Sequence, residues 1–151
     1  MKTTVTRMVR LYRIPIIGLI AKQINVLLGA DIPRCATIGT NVSFPHNSVG
    51  TVIHKNTVIE DDVQIYQNVT IGRSDVYKND EGYDPECIKF HIGKGACVCA
   101  GAKIICAKGT LCIGNYSVIA ANAVLLNSTG SGEIWAGVPA KLIGYRDDIT
   151  D

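Results

Sequence analysis

Cysteine pairs of the C-x-x-C type are absent from these 151 residues, although six cysteines stand at 35, 87, 97, 99, 106 and 112. Without such pairs, neither a zinc knuckle nor a thioredoxin-like redox motif is supported. Charge is scarce too: Asp, Glu, Lys and Arg make up 19%, and the formal net charge is only +2. A surface that tracks phosphates needs a much larger basic excess, which excludes nucleic acid as a partner. A long uninterrupted apolar run is also missing. The stretch from Ile14 to Ala30 carries Lys22, Gln23 and Asn25, which spoil the about 20 apolar residues of a membrane span, and it has no clear secretory cleavage site. The expectation is a cytoplasmic protein without stable membrane insertion, its cysteines free thiols. At 47% apolar residues the chain is too apolar for disorder, and it has little charge for a fully solvated monomer, which leaves surface for a partner subunit.

What is present is a repeat. Aliphatic residues recur every six positions at Ile53, Ile59, Ile65 and Ile71, at Ile92, Val98 and Ile104, and at Ile113, Ile119 and Leu125, after an earlier pair, Ile38 and Phe44. Neither the 3.6 of a helix nor the 2 of a strand gives that step, whereas one flat side of a triangular coil does. The aliphatic points into the prism, and the small residue two before the next aliphatic also faces inward. Three units close a coil, and coils stack about 4.8 Å apart as parallel strands. The fold class is all-β: a parallel β-helix over 31–128 with a short N-terminal helical cap over 1–30 and a C-terminal segment over 129–151. The cap reads as helices broken near Pro15 and Gly18, covering strand edges that would otherwise invite aggregation. Its Arg7, Arg10, Arg13 and Lys22 also fit a membrane-surface contact.

The period breaks twice. Ile71 and Ile92 are 21 apart, and the polar, charged and aromatic excess reads as a loop over 73–91 thrown out of the prism. Between Ile104 and Ile113 the step is nine, which predicts a small corner bulge at Ala107-Lys108-Gly109.

There are three histidines, and histidine is the usual proton acceptor when a hydroxyl attacks a carbonyl near neutral pH. His46 follows a hexad aliphatic in a stretch that departs from the six-residue step. Asp31 lies 15 residues earlier, close to one coil length, so stacking can bring its carboxylate beside the imidazole and fix the tautomer. A solvated surface histidine is the plain alternative. His91, at the end of the loop, is placed as a substrate contact with Lys89 and Tyr83, and His54 reads as a corner residue. Histidine spacings of eight and 37 do not form a metal-ligand cluster, so no metal is expected.

The hexads, Asp31, His46 and the run Ala136-Gly137-Val138-Pro139-Ala140-Lys141 together resemble the hexapeptide-repeat acyltransferases, within them the serine acetyltransferase-like branch, from about Tyr12 to Gly144. The segment from Asp31 through Ala36-Thr37-Ile38-Gly39 to His46, with Val58 to Val63 and Val69-Thr70-Ile71-Gly72, carries the likeness, as does Ala100-Gly101-Ala102-Lys103-Ile104. The resemblance implies left-handed winding, a homotrimer with sites between neighbouring prisms, acetyl-CoA as cosubstrate along the coils, and transfer to an acceptor hydroxyl with His46 as base and Asp31 behind it. Gly101, Ala102, Ala120 and Ala121 would admit the pantetheine arm, and Lys103 and Lys141 would meet CoA phosphates. Serine-specific members carry an acid before the base and an Arg-His pair in the loop. Here those places hold Pro45 and Lys89-Phe90-His91, and a zwitterionic acceptor needs both charges. A sugar hydroxyl on a surface-polysaccharide precursor is therefore the expected acceptor, with Tyr77, Tyr83 and Phe90 available to stack on it. The alternatives are serine as acceptor and a non-catalytic β-helix scaffold.

Overall fold

The computed structural model describes residues 3–77 and 88–147. Among the described residues two helices, α1 (Thr4–Val9) and α2 (Pro15–Leu27), precede thirteen short strands. These are β1 (Thr37–Ile38), β2 (Val52–Ile53), β3 (Thr57–Ile59), β4 (Gln64–Ile65), β5 (Thr70–Arg73), β6 (Ile88–Ile92), β7 (Cys97–Val98), β8 (Lys103–Cys106), β9 (Gly109–Ile113), β10 (Val118–Ile119), β11 (Val124–Leu125), β12 (Glu133–Gly137) and β13 (Ala140–Tyr145). They build three faces of a prism. The first face runs β2, β5, β8, β11; the second β1, β3, β6, β9; the third β4, β7, β10, β12, with β13 folded back on β12. Every pairing is parallel except β12 with β13.

The six-residue aliphatics are the registered partners of one another. Ile53 lies on Ile71, Ile71 on Ile104, and Ile104 on Leu125 along the first face, and each is almost wholly buried. Burying one such side chain contributes about 1.5–3 kcal/mol, an upper figure because unfolded chains already bury some apolar surface. A residue on either side of each aliphatic points out, which is what gives the prism a chemical exterior.

The cap closes one end by hydrogen bonding. Thr3 Oγ1 donates to the Phe44 carbonyl (2.7 Å) and the Phe44 N–H donates to Thr6 Oγ1 (2.9 Å), so α1 satisfies backbone groups of the first coil that have no coil above them. Beneath α2, Asn25 Nδ2 donates to the Tyr12 hydroxyl (2.8 Å), which donates to the Ile32 carbonyl (3.1 Å). Gly18 allows this close approach, because a Cβ there would lie 2.6 Å from the Tyr12 carbonyl oxygen.

Both breaks in the period have a shape that spacing did not show. The expected loop over 73–91 is narrower: residues 88–91 belong to β6, with Ile88 and Phe90 inside the prism. The nine-residue step then follows. Ile88–Ile92 pairs residue for residue with Gly109–Ile113, and Gly72 and Arg73 pair with Ile105 and Cys106, so one widened coil is matched by a widened neighbour. The stack also continues into the C-terminal segment, where Ile134 and Trp135 pair with Val118 and Ile119.

Candidate active site

The corner where the third face turns into the first carries His46. Most coils cross it in four residues, such as 66–69, but the first coil uses seven, 45–51, for one 3-10 turn at Pro45–Ser48. His46 (φ 53°), Asn47 (φ 54°) and Ser48 (φ 41°) are all left-handed, a conformation that costs non-glycine residues energy and persists only when its surroundings fix it. They do. Ser48 Oγ donates to the Ile65 carbonyl at 2.6 Å, Asn47 Oδ1 accepts the Val5 N–H at 3.3 Å, and the Thr51 hydroxyl donates to the Tyr66 carbonyl at 3.0 Å. Helix α1 above and the second coil below thus hold an exposed imidazole in place. Its ring centroid lies 6.3 Å from that of Tyr66, tilted by 44°.

Asp31 sits at the same corner, bridged to Val52 on the first face. Its carboxylate, however, pairs with Lys22 Nζ at 3.8 Å, and among the described residues no hydrogen bond joins it to His46. The expected carboxylate–imidazole contact is therefore absent from the single chain. The reason is α2, which lays an ammonium beside a carboxylate that is 59% exposed; periodicity along the coils carries no information about where a capping helix puts its lysine.

Register extends the corner downward as one outward column. Tyr66 stacks on Cys99, Cys99 on Ala120, and Ala120 on Ala136, the last paired with the exposed Lys141 on β13. From Pro45 to Ala136 is four coil spacings, roughly 19 Å. Ala120 and Ala121 face out, as expected of small residues beside a bound arm. Ala102 does not: it is fully buried, because it occupies the inward place two before Ile104. Gly101 (φ 75°) is demanded by the coil itself, since a Cβ would collide with the Asn122 side chain. Lys103 Nζ donates to the Asn68 carbonyl at 2.6 Å, beside the column.

His91 lies elsewhere. It stands on the second face, opposite the His46 corner, with Nε2 3.0 Å from Glu60 Oε1. Lys89 is two residues away and also faces out. Tyr83 is outside the described residues. Phe90, expected to stack on a sugar, is 1% exposed and packs edge-on against His54 at 5.5 Å. His54 is a corner residue, its Nδ1 accepting the Asn56 N–H at 3.2 Å. Among the described residues no group of three or more His, Cys, Asp or Glu is placed to hold a metal. A cavity of about 530 Å³, lined by Arg10, Arg13, Arg34 and Asp61 among others, opens at the second–third corner beneath α1, away from His46. In one chain, then, His46 and the His91 group point in opposite directions. Tyr66, Cys99 and Glu60 were not singled out by sequence; their only signal was a place next to a hexad aliphatic, which they share with many surface residues.

No family model matches the chain. Over 121 residues it is 36% identical to serine acetyltransferase of Haemophilus influenzae, covering 80% of this chain and 41% of that one. In structure it superposes on serine acetyltransferase in complex with coenzyme A from Brucella abortus with a TM-score of 0.71 and 29% identity, over 94% of this chain and 54% of the other. A serine acetyltransferase complex with cysteine gives a TM-score of 0.72 and 30% identity over 97% and 54%. These superpositions make the winding left-handed. The chain spans about two fifths of the length of that Haemophilus relative.

Proposed function

This chain belongs to the hexapeptide-repeat acyltransferase family, in its serine acetyltransferase-like branch, and from that premise we propose that it transfers an acetyl group from acetyl-CoA to an acceptor hydroxyl, with His46 as general base. The observation that carries the reading is an exposed imidazole held in a left-handed turn at the head of a column that passes Tyr66 and continues in the small residues Cys99, Ala120 and Ala136. Acetyl-CoA supplies an acetyl group activated as a thioester. The residues fit it: Ala120, Ala121 and Ala136 leave room along the corner, and Lys141 offers a cation at the far end. His46 takes the acceptor's proton, which makes the oxygen a nucleophile. Asp31, at the same corner, remains a positioning residue in this reading.

Two copies are needed to complete the site. Because His91 and Lys89 lie on the face opposite His46, they can join it only from a neighbouring prism, which supports a trimer with its sites between subunits. The acceptor favoured is serine. The relatives are named for it, and the second face offers Glu60 for an ammonium and Lys89 for a carboxylate, the pair of charges a zwitterion needs. The sugar reading loses an aromatic contact with the burial of Phe90 and has no counterpart among those relatives, although Pro45 still stands where an acid would be expected.

The test is acetyl-CoA-dependent thiol release with serine, sugars and nucleotide sugars in parallel, beside sedimentation of the intact protein. Release with serine alone supports the reading. Release with a sugar alone overturns the acceptor, and none with any acceptor leaves a scaffold.

A further inference from the structure

One reactive group on the His46 corner has no part in the chemistry above. Cys97 and Cys99 flank the inward Val98, so both thiols leave the same side of the strand, and their Sγ atoms lie 3.9 Å apart. Both are half-buried. Around them stand Gln64 and Tyr66 in the coil above and Val118 and Ala120 in the coil below. The Arg146 charge also acts on Cys97, lowering its pKa slightly against the other causes.

The two sulfurs are not equivalent. The hydrogen bond from Cys97 holds the Cys99 thiol down to about 7, against burial, which raises it. Cys97 is pushed up, by its contact with Cys99 first and by burial second. The contact thus favours a thiolate on Cys99 beside a thiol on Cys97, the division of labour that dithiol oxidation uses.

We propose that Cys97 and Cys99 are a peroxide-responsive dithiol that closes reversibly to a disulfide on the donor column and, if the column holds acetyl-CoA as argued above, weakens its binding. The Cys99 thiolate attacks one oxygen of hydrogen peroxide; the O–O bond breaks, a sulfenic acid forms, and the departing hydroxide is protonated to water. Cys97 sulfur then attacks the Cys99 sulfur, an S–S bond replaces the S–O bond, and the second hydroxide takes the Cys97 proton. Two thiols lose two electrons, and one peroxide becomes two waters. Closure requires the sulfurs to approach by about 2 Å, and because alternate residues of a strand stand about 6.6 Å apart at Cα, the edge of the range a disulfide spans, the backbone must yield as well. A ring closed between next-but-one residues is strained, and strain makes a disulfide easy to reduce, which gives the reversibility. The bond would also pull on the Cys99 backbone, whose N–H donates to the Ile119 carbonyl at 2.9 Å, at the place where the arm must pass.

The experiment treats the reduced, full-length protein with hydrogen peroxide, blocks remaining thiols, and maps the peptides by mass. Expected is a loss of about 2 Da in the peptide holding both residues, restored by dithiothreitol and absent in Cys97→Ser and Cys99→Ser. Thiols still open to alkylation when glutathione in the same tube is fully oxidised would overturn the proposal, as would a bond from either residue to another cysteine. Calorimetric titration with acetyl-CoA supplies the second readout, with binding roughly tenfold or more weaker after oxidation. Unchanged affinity in the oxidised form refutes control of the donor. If the reduced protein itself binds no acetyl-CoA, the proposed function fails, and the mass shift still decides the dithiol.

Discussion

The inner and outer columns of this prism are built on the same register yet behave as different materials. Inside, Ile53, Ile71, Ile104 and Leu125 stack on their like in the next coil and share one apolar core with the aliphatics of the other two faces. Outside, the same stacking places Tyr66, Cys99, Ala120 and Ala136 in a line with His46 beside Tyr66 at its head, and these side chains are not held to one type. The inner column is redundant, so it can repeat; the outer one is free to vary, so chemistry accumulates there. One coil of offset changes what a side chain meets without changing what the backbone does.

The largest expected effect lies within. Ile104→Ala removes a fully buried side chain sandwiched between Ile71 and Leu125, and should cost about 2–5 kcal/mol in denaturant unfolding while leaving the turnover of the folded fraction intact. His46→Ala should do the reverse. Turnover falls by about two orders of magnitude, the usual worth of a positioned base, with little loss of melting temperature, since the imidazole is exposed and makes no hydrogen bond among the described residues. Equal activity in the variant would remove His46 from the chemistry.

Smaller effects sharpen the boundary between the columns. Gly101→Ala places a Cβ against Asn122 at a left-handed residue, and should destabilise by about 1 kcal/mol or more; the strain predicts that Asn122→Ala in the same chain recovers part of it. The mildest concerns Cys99 alone. Only the thiolate reacts with iodoacetamide, so its alkylation rate should be low below pH 7, rise through about 7 and level off above it. Cys97→Ala removes the donor that stabilises the thiolate, and the midpoint should move up. A midpoint unmoved by that substitution would show that the Cys97 contact does not set the reactivity.

How much of this was legible in the residues depends on what each feature rests on. The hexads were readable because every coil repeats the same demand for an aliphatic on the axis, and the inward place of Ala102 followed from the same rule once it was applied strictly. The seven-residue crossing that holds His46 showed as a lapse in the period, though not as three left-handed residues tied to α1 and the second coil. Lys22 on Asp31 was invisible, because it depends on how a helix of another period lies across the coils. The insertion was read too wide: β-branched and aromatic residues at 88 and 90 looked like loop chemistry until their pairing with Gly109 and Leu111 put them inside.

By itself the sequence determined the repeating coil, the capped end and the presence of His46 at a break in the pattern, because those rest on local periodicity and on the chemistry of single residues. Only the tertiary structure decided that His46 and His91 face opposite ways, that Asp31 is held by Lys22, and that Cys97, Cys99 and Tyr66 share a corner. Those relations join residues through stacking, helix placement and side-chain direction, and contacts between distant segments are set by the packing of the whole chain.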